Sequence, residues 1–152
     1  MADVIEKNII IDVVKDVFST MLFTEIEVFE NDDLKLNSPI KVSVFLGISG
    51  LKKYGVIIET DEKFAIKAAS SMLGEDLNEW SDAVQDAIGE VSNMIAGNIK
   101  SKLPEKQNLS LSIPTVVKGI DYTYSTPKMR MIEKVFFKAF DSFMKVILIE
   151  EI

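Results

Sequence analysis

Near the C-terminus, EKVFFKAF (133–140) and SFMKVILIEE (142–151) stand almost end to end, joined near Asp141-Ser142. Both are rich in aromatic and β-branched residues, and the junction is too short for anything but a turn. They predict a closing antiparallel hairpin. A second hairpin is expected from IKVSVFLGISG (40–50) and YGVIIET (54–60), with a Gly-containing turn between them. TEIEVFE (24–30), with Ile26 and Val28 on one face, LSLSIP (109–114) and IDYTYS (120–125) read as further strands. NDDLKLNSP (31–39) reads as a polar turn region.

A sheet of this kind needs a covering layer, and the remaining segments supply helices. DVIEKNIIIDVVKDVFSTML (3–22) places Ile9/Ile10, Val13/Val14, Val17 and Met21 at helical spacing. A helix over 62–73 has Thr60 or Asp61 as cap and Gly74 as stop. A long helix runs from about Asn78 to Leu103, ended by Pro104. The expected fold class is α+β, a mostly antiparallel β-sheet packed against long α-helices. All of 1–152 reads as one domain, with no boundary and no low-complexity segment.

Absences narrow the chemistry. The 152 residues contain no Cys and no His. A thiol nucleophile, a Ser-His-Asp triad and the usual zinc sites are excluded. A net charge of -7 argues against nucleic acid as partner, since a binder needs cations to displace counterions from phosphates. Arg130 is the single arginine, and neither GxxxxGK[ST] nor GxGxxG occurs. No apolar run is long enough for a membrane helix, and MADVIEKNIII lacks the features of a signal peptide. The cytoplasm is the expected location. Catalysis would rest on carboxylates, amides and hydroxyls, or on groups a partner brings.

DAIGEVSNMIAGNIK (86–100) poses the sharpest question. Gly89 and Gly97 each weaken a helix interior by about 1 kcal/mol relative to alanine. Val84, Ile88, Val91, Ile95 and Ile99 form the expected buried stripe. Opposite it fall Asp82, Asp86, Glu90, Asn93, Gly97 and Lys100, with Met94 near the edge. An ordinary solvated face explains Asp82, Asp86 and Lys100, but it has no need of a glycine at 97. Either a visiting partner or another part of the same domain comes close there. Asn93 can hold a water by donating and accepting hydrogen bonds, and Glu90 one turn earlier points the same way. Amides orient the attacking water in this manner in phosphoryl transfer. The first helix carries an echo, Asp12, Asp16 and Ser19 at the spacing of Asp86, Glu90 and Asn93. It hints at two related halves, although two amphipathic helices can match by chance.

Asp86-x3-Glu90-x2-Asn93, the continuation MIAGNIKSKL, and SIPTVVKG (112–119) with its Pro114 resemble the CheC/CheX/FliY family of chemotaxis phosphatases, the CheX branch most. The resemblance covers essentially the whole chain. It implies two pseudo-symmetric halves, the first keeping only a degenerate motif because Asp16 and Ser19 stand where Glu and Asn would be. It implies dephosphorylation of a phosphorylated CheY-type response regulator. By position, Asn93 would orient the hydrolytic water and Glu90 would pair with the regulator's lysine. The regulator would supply the aspartyl phosphate and Mg²⁺, so no metal or cofactor is expected on this chain. Asp86, Met94, Gly97 and Lys100 would be partner-binding, with Gly97 giving the regulator room. A homodimer through strand edges is also implied.

A non-catalytic module that binds a receiver domain or flagellar-switch component is the main alternative. A small-molecule-binding domain finds no polar cluster in the apolar runs to support it. Ser110 and Ser112 read as an outward strand face, and Asp32/Asp33 and Asp61/Glu62 as solvated turn acids. Phe136/Phe137 and Phe140/Phe143 read as core or dimer interface, and Trp80 as packing.

Overall fold

The computed structural model describes residues 7–30, 39–104 and 108–152. Asp32/Asp33 and the first residues of the expected first helix lie outside them. The elements run α1 (Lys7–Met21), β1 (Glu27–Phe29), β2 (Ile40–Ser49), β3 (Tyr54–Asp61), α2 (Glu62–Leu73), α3 (Asp82–Lys100), β4 (Ser110–Leu111), β5 (Thr115–Ile120), β6 (Met129–Ala139) and β7 (Ser142–Glu151). The described strands form one seven-stranded antiparallel sheet, ordered β1-β6-β7-β3-β2-β4, with β5 also on β2.

That order is nearly a palindrome about the β7–β3 pair. Matching α1 with α3, β1 with β5, β2 with β6 and β3 with β7 reproduces it. Each half lends its short strand to the other: β1 pairs with β6, and β5 with β2. Ile57 faces Ile147 across the centre. The expected halves are therefore visible in the topology, and α2 and β4 are the elements without a counterpart. Alternate residues of the central strands (Val44, Ile58, Val146, Val135) face the helices and are fully buried with Ile10, Val14, Phe18, Phe64, Ile88 and Ile95.

Most expected elements stand within a few residues of their sequence positions. Asp61 rather than Thr60 caps α2, its Oδ1 accepting the Phe64 N–H at 2.7 Å. It is not a solvated acid: it is fully buried, and Ser142 Oγ donates to its Oδ2 at 2.7 Å. Gly74 ends α2 with φ 67. The final hairpin turns on Phe140-Asp141, both with φ 55, one residue before the expected junction. IDYTYS is not a strand. The strand lies just upstream in β5, which leaves the ladder at Asp121 (φ 51). Tyr122 then folds back, its ring 4.4 Å from Lys41 Nζ and its hydroxyl bonded to Ser43 Oγ. The alternating aromatics therefore pack on the sheet instead of extending it.

The sheet face away from the helices holds a buried ion cluster. Glu59 is 4% exposed, with Lys145 Nζ at 2.9 Å and Lys41 Nζ at 3.4 Å. Burial pushes its carboxyl up, but the hydrogen bond from Lys145 and the charges of Lys145 and Lys41 outweigh that and hold it below the ordinary value. Burial, and Glu59 beside it, raise the Tyr124 hydroxyl. Glu59→Gln is expected to lower stability at neutral pH by about 1.5–3 kcal/mol, the range for a bond to a charged group. Because the folded carboxyl lies below its unfolded value, this contribution is full above that value and is lost as pH falls through the folded one. Chemical denaturation of both proteins should therefore give ΔG curves that converge on acidification. A constant gap down to strongly acidic pH would contradict this.

Phe23 is the one residue of the α1 exit whose conformation is costly. Its φ is 52 and its side chain is 83% exposed, while the Thr24 N–H reaches back to the Phe18 carbonyl at 3.1 Å. A bulky side chain is disfavoured in this left-handed position, which glycine adopts freely. Phe23→Gly should stabilise the fold by roughly 0.5–1 kcal/mol, read as a melting point about 2–3 °C higher. A lower melting point would show that the ring packs on something.

Candidate functional site

α3 begins where Ser81 Oγ accepts the Val84 N–H at 3.3 Å, later than the expected Asn78. It ends at Lys100, and turns lead from there to Pro104. All five residues of the expected stripe, Val84, Ile88, Val91, Ile95 and Ile99, are buried. Burial extends around the helix to Ala87, Gly89, Ser92 and Ala96. Ser92 is tolerated inside because its hydroxyl donates to the Ile88 carbonyl at 2.7 Å. Asp82, Asp86 and Glu90 are exposed, while Asn93, Met94, Gly97 and Lys100 are half-buried.

The glycines have a common explanation within the chain. A Cβ on Gly89 would sit 3.5 Å from Pro114 Cγ and 3.8 Å from Val116 Cγ2, and one on Gly97 3.7 Å from Leu111 Cδ2. The 111–116 segment thus runs antiparallel along the helix. Residues 89, 93 and 97 succeed one another at about one turn. Asn93 lies on the seam between the two packed glycines, which accounts for its half-burial. An alanine would fit at either glycine; a larger side chain would displace the segment. Of the two readings left open for Gly97, approach by another part of the same domain has a contact to support it.

The same segment is pinned to the sheet. The Ser112 N–H donates to the Gly47 carbonyl at 2.9 Å, and Ser112 Oγ accepts the Gly47 N–H at 2.8 Å. The alternation of LSLSIP stops at Leu111. Leu109 is buried and Leu111 packs on α3, yet Ile113, next in that period, is 86% exposed. Period-two patterning places Ile113 with the leucines, because the sequence does not mark where pairing ends.

Among the described residues, neither Glu90 nor Asn93 has a hydrogen-bond or ion-pair partner in the chain. Their polar atoms are available to a visitor. Asp86, one turn before Glu90, is likewise exposed. Met94 packs against the core edge. Lys100 stands apart: it is roughly 15 Å from Glu90 along the axis, and its Nζ donates to the Leu109 carbonyl at 3.4 Å. Trp80, before the helix, lies 4.7 Å beneath Lys118 Nζ, and Lys118 pairs with Glu62 at 3.3 Å. Asp12, Asp16 and Ser19 of the echo are exposed on α1 and line a shallow groove with Thr24 and Glu27. Among the described residues, no three acidic side chains gather so as to hold a metal ion, and no helix is long and apolar enough to cross a membrane.

The sequence profile of the family described as "Chemotaxis phosphatase CheX" matches residues 42–138, which include α3 and the 111–116 segment. The chain belongs to the CheX family. It is 32% identical over 85 residues to the CheY-P phosphatase CheX of Thermotoga maritima, a match spanning 55% of each chain, so about half of that relative's length is covered. Its fold is that of the CheX chemotaxis protein from Vibrio vulnificus, with a TM-score of 0.77, 25% identity and 95% of each chain covered. The CheX of Borrelia burgdorferi, solved as a complex with CheY, BeF3 and Mg²⁺, has the same fold at 21% identity, with a TM-score of 0.73 and 95% and 97% of the two chains covered.

Proposed function

We propose that this CheX-family chain accelerates hydrolysis of the aspartyl phosphate on a CheY-type response regulator in the cytoplasm. The supporting observation is the α3 face itself. Glu90 and Asn93 stand one turn apart, reachable from solvent and unpaired within the described chain. Asn93 enters the regulator's phosphorylated pocket. Its amide donates to and accepts from one water and holds it in line with the phosphorus. Glu90 pairs with the regulator's lysine and fixes the depth of insertion. The water attacks phosphorus, the bond from phosphorus to the aspartyl oxygen breaks, the free aspartate stays on the regulator, and inorganic phosphate leaves carrying the water's protons. The regulator would hold the Mg²⁺, which would supply charge neutralisation at the phosphoryl group. Asp86 meets further cations at the rim, and Met94, Gly97 and Lys100 border the contact.

Two copies pair through strand edges in this reading. β7 is central in the sheet and cannot serve. β1 covers β6 only along Phe136–Lys138, which leaves the outer edge of Met129–Val135 open among the described strands. An uncovered edge of this length is a pairing template.

The test is release of phosphate from several phosphorylated CheY-type receivers with and without the protein. At least one receiver should lose phosphate roughly a hundredfold faster with the protein present, the effect of one well-placed polar group. Binding without faster decay would mean a non-catalytic module instead.

A further inference from the structure

Ile113 is a branched apolar side chain held in water beside the catalytic seam. It is 86% exposed, while the residues on both sides of it are fastened. Ser112 is bonded through both its backbone and its hydroxyl to Gly47 of β2. Pro114 lies against Gly89, the residue before Glu90, and Leu111 lies against Gly97. The fixed φ of Pro114 stiffens the segment further. Ile113 is thus borne on a segment clamped between sheet and helix, alongside the stretch of α3 that carries Asn93. Isolated surface hydrophobics are common and need no explanation. This one differs in being immobilised next to Glu90 and Asn93, which are unpaired among the described residues.

Resting on the reading above, we propose that Ile113 is the apolar anchor of the docking surface. It fits an apolar hollow bordering the phosphorylated pocket of the receiver domain. The helix it lies along is acidic, with Asp82, Asp86 and Glu90 exposed. An acidic rim selects a partner with cations around its pocket but adds little affinity in water. The anchor supplies the apolar burial that the rim does not. The receiver then binds through apolar contact at Ile113 and is acted on through polar contact at Glu90 and Asn93.

The experiment is steady-state decay of phosphorylated receiver at varied receiver concentration, with Ile113→Ser, Ile113→Leu and Asn93→Ala beside the wild type. Ile113→Ser should raise KM about tenfold or more and leave kcat within about twofold. Ile113→Leu should restore KM, and unchanged melting curves would show that the fold is intact. Asn93→Ala should do the opposite, losing kcat and keeping KM. If Asn93→Ala loses kcat but Ile113→Ser keeps the wild-type KM, the anchor is wrong and the phosphatase reading stands. If no receiver is dephosphorylated, the phosphatase reading fails. The anchor then stands or falls on whether Ile113→Ser weakens receiver binding measured by calorimetry.

Discussion

Asn93→Ala is expected to abolish accelerated decay of the phosphorylated receiver while leaving the two proteins able to bind. The carboxamide is the one group on this face that both donates and accepts, so the water it positions loses both bonds at once. Removing a single positioned group of this kind costs about 10²–10³ in rate. Binding should change less than about fivefold, because a half-buried amide contributes little contact area. Glu90→Ala should weaken both binding and rate, since pairing with the regulator's lysine precedes chemistry. The double variant should be no slower than Asn93→Ala alone at saturation, as expected when two residues act as a unit. If the double variant still speeds decay, the site lies elsewhere.

The second large effect is expected at Gly89, and it separates two substitutions that look similar on paper. Gly89→Ala meets Pro114 and Val116 at ordinary contact distance. It should therefore gain up to about 1 kcal/mol of helix propensity. Gly89→Leu adds three further carbons where Pro114 and Val116 already lie, and overpacking of this sort costs about 1–3 kcal/mol. The two variants should melt roughly 5–10 °C apart. Gly89→Leu should also lose phosphatase activity beyond its loss of stability, because displacing Pro114 swings Ile113 and uncovers Asn93. Equal melting points would mean that the 111–116 segment does not rest on the helix.

Why the helix tolerates two glycines was only half legible in the sequence. The apolar period gave the stripe Val84, Ile88, Val91, Ile95 and Ile99 correctly, since a 3.6-residue period survives any tertiary detail. What lies opposite a glycine is a tertiary fact, and no local pattern announces that Pro114 and Leu111 lie there. Strand patterning failed for a related reason at IDYTYS. Tyr122 and Tyr124 alternate as a strand would, but they serve Ser43, Glu59 and Phe45 across the sheet. Asp61 looked like a turn acid because its burial depends on Ser142, far along the chain. The matching of α1 to α3 was suggested by the echo at Asp12, Asp16 and Ser19, and it became firm only with the strand order. The candidate site was the most legible part. Glu90 and Asn93 are neighbours in sequence, so their side-by-side placement needs only a helix, whereas Ile113 joins them only through the packing of a loop.

The most direct measurement is a nuclear magnetic resonance titration with a receiver domain held in its phosphorylated form by beryllofluoride and Mg²⁺. The side-chain amide of Asn93 should shift and become protected from exchange, together with Glu90, Asp86 and Ile113. The signals of Asp12, Asp16 and Ser19 on the other half should stay in place. Shifts confined to α1, or to the sheet face around Glu59, with Asn93 unmoved, would contradict the account.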